Sequence, residues 1–288
     1  MNHKELWKAA FGDTDQYISY YFKEKAGRSR IYSKYDGGSL VSMVFFTPYE
    51  VLYRGKECIC PYIVGVATEA SHRRRGYMRM LLEQGLLEAE ERGCDLAFLC
   101  PADEKIYEPF GFRGVQYRKQ LVVSGVENVC GQYEVNCFIE LTEDEKMKAA
   151  DFAADLLASS GFDLYMKRST AYYERVQKEM EALCGNVLVL RENSAVRGIA
   201  AYTYEEGQYD VTELICAESD GQEAVETICG FLANGNAEEI MFSDGQFLDR
   251  VEGAGMIRKT EHKPSIMLRE LVEPRGAEEL RVYINDIT

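Results

Sequence analysis

The segment that decides the fold is residues 62–112, YIVGVATEASHRRRGYMRMLLEQGLLEAEERGCDLAFLCPADEKIYEPFGF. Its continuous apolar start, Tyr62–Thr68, predicts a buried strand. Leucines at a helical spacing then predict an amphipathic helix that ends before Gly93, the usual place for a terminating glycine. A second apolar run, Leu96–Cys100, predicts the next strand. The segment is therefore expected to fold as strand, loop, helix and strand.

The loop before this helix has the residues of an anion site. The first N–H groups of a helix have no partners inside it and lie at the positive end of its dipole. Gly76 lets the backbone approach an anion without a Cβ in the way, and Arg73–Arg75 add positive charge. Neither a Walker lysine motif nor a GxGxxG motif occurs in the chain. The loop predicts a pyrophosphate site; the alternative is a solvated basic stretch that only precedes a helix.

Residues 62–115 resemble motifs A and B of the GNAT superfamily of acetyltransferases. More narrowly, HRRRGYMRMLL followed by IYEPFGF resembles the enhanced-intracellular-survival (Eis) family of tandem acetyltransferases. The general pattern Q/R-x-x-G-x-G/A is matched through Tyr77, and Met78 stands in its last position. The resemblance implies acetyl-CoA as co-substrate, held by Val64, Val66, Ala67, Arg73, Arg74, Arg75, Gly76, Tyr77 and Met78.

The resemblance also implies a mechanism. The pantetheine arm should pair like an extra strand with Val64–Thr68, while Leu96–Cys100 splays away to admit it. The thioester carbonyl should lie near the backbone N–H of Val66 or Ala67, which can stabilise a tetrahedral oxyanion. A neutral amine then attacks directly. Tyr107 matches the family's general acid, since a phenol stays protonated at neutral pH and can donate to the departing thiolate.

The alternative for Tyr107 is a packed aromatic residue, which is also the role expected of Phe110 and Phe112 around the cofactor. The general base is open. In full-length Eis-like proteins a sterol-carrier-like domain follows, and its terminal carboxylate reaches the site. This chain stops at VYINDIT, so the carboxylate of Thr288 is not expected to do the same. Glu69 and a water relay are the other candidates.

An internal repeat extends the pattern over the second half of the chain. Residues 64–115 and 209–259 share an order of strand, loop, helix and strand, with Gly76 matching Gly221 and Gly111 matching Gly255. We therefore expect an α/β fold of two tandem GNAT-like lobes, 1–130 and 131–288, each a mixed and mostly antiparallel sheet flanked by helices. The first should hold acetyl-CoA. The second, with carboxylates at 218 and 220 where phosphate would sit and no tyrosine in VEGAGM, should not.

Shorter patterns predict the remaining elements. Strands 31–35 and 39–47 should flank a turn at Asp36-Gly37-Gly38, and a second hairpin should turn at Arg54-Gly55. In the second lobe, strands 186–191 and 197–204 should form a hairpin. Residues 142–182 should be mostly helical, beginning with a capping box of Thr142 and Glu145.

Charge and composition narrow the partners. The net charge is −15, and residues 131–288 hold 15 Lys and Arg against 31 Asp and Glu, whereas residues 1–130 hold 18 against 17. Such a lobe argues against binding to nucleic acid or anionic membranes. Its charge serves either solubility or a pocket for a cationic substrate. No apolar run is long enough to span a membrane and the first residues do not resemble a signal peptide, so we expect a soluble, cytoplasmic protein.

No metal site is expected. The nine cysteines include one close pair, Cys58 and Cys60, and the three histidines are scattered at His3, His72 and His262. Four ligands at zinc-site spacing are absent.

The sequence thus predicts an acetyl-CoA-dependent N-acetyltransferase acting on a primary amine of a cationic small molecule or peptide, such as an aminoglycoside, a polyamine or a lysine. Self-association into a homo-oligomer is compatible with this prediction. Two alternatives remain open: a protein that binds acetyl-CoA as a sensor or scaffold without turnover, and a tandem GNAT transferase that uses another acyl donor.

Overall fold

The computed structural model describes residues 1–126, 131–233, 237, 239–244, 246–253, 255–272 and 279–285. Within these residues the strands are β1 Arg30–Asp36, β2 Ser39–Tyr53, β3 Lys56–Thr68, β4 Leu96–Leu99, β5 Arg113–Ser124, β6 Glu134–Cys137, β7 Leu164–Met166, β8 Asn186–Glu192, β9 Ala195–Glu205, β10 Gln208–Cys216, β11 Glu239–Phe242, β12 Met256–Glu270 and β13 Val282–Tyr283. The α-helices are α1 His3–Phe11, α2 Asp15–Tyr20, α3 Tyr77–Glu91, α4 Glu104–Tyr107, α5 Glu143–Ser159, α6 Thr170–Ala182 and α7 Gly221–Ala233.

The short-range predictions are confirmed. β1 and β2 pair antiparallel, and so do β2 with β3 and β8 with β9. Arg54 and Gly55 both have positive φ, at 50° and 76°, as a two-residue turn of type I′ requires. The capping box of α5 is present, since Thr142 and Glu145 bond to each other's backbone N–H groups. The predicted α/β class is also confirmed, because a large mixed sheet is flanked by helices.

The sheet differs from the prediction in one respect. Instead of one sheet per lobe, the described strands form a single sheet in the order β13-β7-β2-β3-β4-β12-β5-β11-β10-β9-β8-β6, with β1 paired to β2. β12, from the second half, lies between β4 and β5, and β5, from the first half, lies between β12 and β11. The second half also adds β7, paired with β2, and β13, paired with β7, so strands of the two halves alternate along the sheet. The lobe boundary near residue 130 stays a prediction, and the pairing of strands does not follow it.

The helices cover the sheet with apolar faces. On one face, α3 packs Leu81, Leu82 and Leu86, all at most 2% exposed, against Phe46 of β2 and other residues of the sheet. Burying a leucine of this kind stabilises the fold by about 1.5–3 kcal/mol. A larger apolar core runs continuously from α1 to the C-terminal strand β13, so one core serves both halves.

Two buried ion pairs, which the sequence did not predict, lie within this core. The Lys25 ammonium is 2.5 Å from the Glu179 carboxylate, joining the first half to α6. The Arg168 guanidinium is 2.5 Å from Glu213, which also accepts a hydrogen bond of 3.1 Å from the Tyr173 hydroxyl. Removing one partner of such a pair leaves an uncompensated buried charge. The Lys25–Glu179 pair joins the two halves, whereas the Arg168–Glu213 pair lies within the second half.

Candidate functional site

A groove opens where β3 and β4 part. The two strands pair in parallel only at Tyr62–Phe98 and Ile63–Leu99. Beyond Ile63 no described strand pairs with this edge of β3, so its outward backbone groups face a cavity of about 510 Å³. We call this cavity the first-lobe groove. Val64, Val66 and Tyr107 are among its lining residues. It has the form expected for an extended chain that pairs with β3 like a further strand.

A bulge in β3 shapes the wall of the groove. The register with β2 shifts between Met43–Ala67 and Phe45–Val64, which leaves one extra residue on β3. Gly65 lies there with φ 62°, and an added Cβ would stand 2.6 Å from the Trp7 ring. A bulge re-aims the backbone that follows it. Here it turns the peptide of Val66, one of the two predicted oxyanion donors, relative to a regular strand.

The other predicted donor is placed differently. The Ala67 side chain is buried, its carbonyl accepts a hydrogen bond of 3.1 Å from Ser42 Oγ, and it is not among the lining residues of the groove. Val64 is also buried, whereas Val66 is half-buried. Sequence reasoning missed Gly65 and Trp7. The signal was available, because a lone glycine inside a strand pattern indicates a bulge or a close approach.

The N-terminus of α3 is open. Gly76 is the N-cap residue, with φ 80° and no side-chain capping bond, whereas α1, α5 and α6 are each capped by a side chain. A Cβ added at Gly76 would meet no heavy atom within 4 Å. The first N–H groups of a 15-residue helix are therefore free to bind an anion.

The three arginines before Gly76 are exposed. Arg73 Nε donates to the Thr68 carbonyl at 3.2 Å, and Arg75 donates to the Ser71 carbonyl at 3.3 Å. Arg74 has φ 62°, and within the described residues its guanidinium bonds to no other side chain or carbonyl. Successive backbone N–H groups around such a left-handed residue form an anion-binding concavity. The loop thus combines free N–H groups with exposed positive charge.

Tyr77 and Met78, at the start of α3, are half-buried. The Lys34 ammonium lies 5.6 Å from the centre of the Tyr77 ring. Met78 packs against the apolar cluster beneath α3, where a smaller residue of the general pattern would leave space. Its side chain thus fills the sheet side of the helix, and its N–H stays at the open terminus.

Glu69 organises the loop instead of facing the groove. Its carboxylate accepts hydrogen bonds from Ser71 Oγ at 2.5 Å and from the His72 ring. These bonds lower the pKa of Glu69 to about 2, and the residue does not line the groove. A carboxylate so committed is a poor proton acceptor. His72 also lies 3.3 Å from Asp36, which ties the loop to the β1–β2 turn.

Tyr107 lies on the opposite wall of the groove, in α4. It is 6% exposed, and in the described part of the chain its hydroxyl makes no hydrogen bond. Burial raises the pKa of Tyr107 to about 12, and the nearby Cys100 thiol adds to the rise. The phenol therefore keeps its proton at neutral pH. Phe110 and Phe112 are buried beside it, with Phe112 at 6.2 Å, edge to face.

A second cavity continues from the groove. It has a volume of about 600 Å³ and is lined by both halves of the chain, so we call it the inter-lobe cavity. Four residues line both cavities: Thr14, Cys100, Leu183 and Glu205. The carboxylates along the groove are Asp13, whose Oδ2 accepts 2.6 Å from Trp7 Nε1, and Glu205, which is exposed. Sequence reasoning missed both, because nothing local marks residues from distant segments as neighbours.

The matching site of the second half is covered. At Gly221, an added Cβ would lie 3.3 Å from the Phe247 carbonyl and 3.3 Å from Val251, so segment 246–253 packs over the start of α7. Glu218 pairs with Arg250 at 3.2 Å. Where β10 and β11 part, after Val211–Phe242, the Tyr283 hydroxyl donates to Asp244. The start of α7 is therefore covered, whereas the start of α3 is open.

Residues 2–115 match the family model of the acetyltransferase (GNAT) domain. The chain carries a GNAT acetyltransferase domain. This match confirms the enzyme class predicted from the sequence, a GNAT-family N-acetyltransferase. The matched residues include the loop before α3 and every lining residue of the first-lobe groove except Leu183 and Glu205. No curated protein matches the chain.

Solved structures are similar in fold to this chain over nearly its whole length. A probable N-acyltransferase from Enterococcus faecalis V583 aligns with a TM-score of 0.72 at 17% identity, covering 93% of this chain and 69% of that one. Eis1 from Mycobacterium abscessus gives 0.60 at 13%, covering 93% and 70%. N-myristoyltransferase from Saccharomyces cerevisiae, solved with bound myristoyl-CoA and inhibitors, gives 0.60 at 9%, covering 93% and 76%. The Eis-like fold is confirmed.

The described residues form neither a metal centre nor a disulfide. No group of three or more His, Cys, Asp and Glu in this part of the chain could hold a metal ion. The described cysteines are free thiols, and Cys58 Sγ lies 3.6 Å from Cys60 Sγ. Thr288 lies outside the described residues.

No described helix has both the length and the apolar character needed to cross a membrane.

Proposed function

We propose that this chain transfers the acetyl group of acetyl-CoA to a primary amine of a cationic acceptor. The observation that carries the proposal is that the first-lobe groove and the inter-lobe cavity are continuous. A groove with a free strand edge, an anion loop at one side and a protonated tyrosine on its wall opens directly into a second cavity of about 600 Å³. One cavity suits the donor and the other suits the acceptor.

In this proposal the donor lies along β3. Its pyrophosphate binds the free N–H groups of α3, together with Gly76 and the side chains of Arg73–Arg75. The pantetheine arm pairs with the open edge of β3, and the thioester carbonyl lies near the re-aimed peptide of Val66. Backbone donors held in place by the bulge stabilise the developing oxyanion without reorganisation.

The chemical step is direct. The amine nitrogen attacks the thioester carbon, and the carbonyl becomes a tetrahedral oxyanion. When it collapses, the carbon–sulfur bond breaks and the Tyr107 hydroxyl gives its proton to the CoA thiolate. The proton lost by the amine passes to solvent or to Asp13 or Glu205, the carboxylates along the groove. No bond to the protein forms.

The second half takes part in acceptor binding and holds no cofactor. The support is the contrast between Gly76, which is open, and Gly221, which is covered by segment 246–253. Its acidic residues supply the charge that a cationic acceptor needs, and several of them line the inter-lobe cavity.

A longer acyl donor is a second candidate. Aromatic residues line part of the groove, including Trp7, Phe11 and Tyr62, and a longer acyl chain would bury its carbon atoms against them. Comparing kcat/KM for acetyl-CoA and for medium-chain acyl-CoA donors decides between the two. A higher value for the longer donors contradicts acetyl transfer and keeps the transferase.

The experiment that tests the mechanism is Tyr107→Phe, with Tyr107→Ala beside it. The phenylalanine still packs, so acetyl-CoA affinity should stay nearly intact while kcat falls by roughly 100-fold for loss of a general acid. The alanine should harm both, because it also leaves a cavity. CoA release in the presence of an aminoglycoside, a polyamine or a lysine peptide gives the rate.

Tyr32→Phe is a matched control. Tyr32 is also buried, with its pKa raised to about 12, but its hydroxyl bonds Glu88 at 2.7 Å outside the groove. This variant should keep the parent kcat. If Tyr107→Phe turns over at the same rate as the control, Tyr107 is not the acid. If no amine is acetylated while acetyl-CoA still binds, the protein is a binding module.

A further inference from the structure

The far end of the inter-lobe cavity contains two carboxylates that the proposed reaction does not use. Asp210 lies on β10 beside Met241 of β11, and Asp244 follows β11 by two residues. Both line the cavity. Asp244 is 4% exposed, and its Oδ2 accepts from the Tyr283 hydroxyl and, at 2.8 Å, from Asn285 Nδ2.

Asp210 is the incompletely bonded member of the pair. Its Oδ2 accepts a hydrogen bond of 2.8 Å from Ser243 Oγ. Its Oδ1 is buried and has no hydrogen-bond partner in the described residues. Burial raises the pKa of Asp210. A buried acceptor without a hydrogen bond is destabilising, so a donor brought by a ligand would recover free energy.

The charge of the cavity favours a cation as that donor. Its lining includes four carboxylates, those of Glu205, Glu206, Asp210 and Asp244, against the cations Arg118 and Lys119. Lys119 is bound to Asp249, which does not line the cavity, at 2.9 Å. Arg118 lowers the pKa of Asp210 and offsets one of the four charges. The excess of negative charge remains.

The strand order gives the distance between this end and the chemistry. Cys100, where the two cavities join, follows β4, and Asp244 follows β11. The strands between them are β12 and β5, so three inter-strand steps separate the two residues. At about 4.8 Å a step, the two strands lie roughly 14 Å apart across the sheet, before any offset along the strands. This is far beyond the reach of a general base, and it matches the length of an extended chain of ten or so atoms.

We propose that the Asp210 and Asp244 end of the inter-lobe cavity binds a second cationic group of the acceptor. The acceptor is then an elongated aliphatic amine that carries two positive charges, roughly 14 Å or more apart by the strand spacing. This assignment rests on the proposed function for the position of the reacting nitrogen. It makes Asp210 a specificity-determining residue. The second half, which holds no cofactor in the proposed function, then provides the end of the inter-lobe cavity that distinguishes acceptors by their length and charge.

The test compares diamines with monoamines of equal length. Initial rates with acetyl-CoA are measured for 1,10-diaminodecane, n-decylamine and 1,3-diaminopropane. Calorimetry on the CoA-bound protein measures binding of the same three probes without any need for turnover. The long diamine should exceed both others in kcat/KM by about 10- to 100-fold, the value of one charge-assisted hydrogen bond. Equal values for the long diamine and n-decylamine overturn the assignment.

The variant Asp210→Asn tests whether Asp210 causes the preference for the long diamine. It should remove the advantage of the long diamine through KM, with kcat nearly unchanged, and leave the monoamine within about twofold. Asp144→Asn removes an exposed carboxylate from α5, where Asp144 pairs with Lys148, and should change none of these values. A lysine peptide preferred over the long diamine and insensitive to Asp210→Asn also overturns the assignment.

The two proposals fail separately. Binding of the long diamine that is lost in Asp210→Asn, without acetylation of any amine, supports the subsite and contradicts the proposed function. Acetylation of all amines without preference supports the function and contradicts the subsite. If Asp210→Asn does not fold, the comparison of diamine and monoamine in the unchanged protein still decides, since it needs no variant.

Discussion

Replacing Gly65 by alanine should lower both the stability of the fold and the rate of the proposed reaction. The residue has φ 62°, which costs an L-residue about 1–2 kcal/mol. The new Cβ would stand 2.6 Å from the Trp7 ring and 2.9 Å from the Phe45 ring, where overpacking costs about 1–3 kcal/mol. Neither ring is the loose end of a flexible chain. We therefore expect a loss of about 2–5 kcal/mol in the free energy of unfolding.

Gly55→Ala is the matched control. Gly55 belongs to the same hairpin and has φ 76°, but an added Cβ there would meet nothing within 4 Å. It should cost only the backbone strain of about 1–2 kcal/mol. Urea unfolding of both variants gives the two values. Equal losses would refute the reasoning, because the contact with Trp7 would then contribute nothing.

The same variant tests the bulge as part of the site. If Gly65→Ala pushes the bulge away from Trp7, the N–H of Val66 no longer faces the thioester, and kcat should fall by more than the change in acetyl-CoA affinity. Gly55→Ala should keep the parent kcat. The double variant Gly65→Ala with Trp7→Phe should recover part of the lost stability, since it removes the closest ring atoms. An activity loss of equal size in both glycine variants contradicts a role for the bulge.

Three further outcomes follow from the site. Calorimetry should give one CoA per chain, since only the first half has an open helix terminus; two equivalent sites contradict the covered second half. Arg74→Glu with Arg75→Glu should raise the CoA dissociation constant at least tenfold by removing two charge-assisted bonds, yet leave a pantetheine analogue without pyrophosphate unaffected; equal weakening of both places the pyrophosphate elsewhere. Burial raises the pKa of Asp244 to about 6, against hydrogen bonds from Tyr283 and Asn285. A raised folded pKa gives stability that is lost as pH rises through 6, so Asp244→Asn should gain about 1.4 kcal/mol relative to the parent protein between pH 5 and pH 8. A difference that does not vary with pH excludes a buried titrating carboxylate.

The local patterns of the sequence predicted much of this fold. The strand, loop, helix and strand of residues 62–100 and the hairpins on both sides of it depend on neighbours in sequence, and so does the capping box at Thr142. Their positions are confirmed. The Arg73–Gly76 loop was predicted as an anion site for the same reason. Its open helix terminus fits that prediction, and binding itself stays a prediction.

Non-local features were beyond such patterns. The repeat indicated which residues form strands, but not whose edge each strand joins, so the exchange of β5 and β12 could not be predicted. In the sequence, nothing distinguishes Asp210 and Asp244 from the other acidic residues of the second half. Only the folded structure brings them to one cavity. Glu69 read as a possible base because its bonds to Ser71 and His72 depend on the loop's conformation.

The pairing of strands between the two halves determines the order in which they can fold. During synthesis β4 leaves the ribosome nearly 170 residues before β12, the strand that pairs with one of its edges. Until then the first half exposes an unpaired apolar edge, which is a template for pairing with other chains. Folding of the acetyltransferase half must therefore wait for the second half, and a fragment cut near residue 130 should aggregate instead of folding. The second half thus governs when the first half can fold.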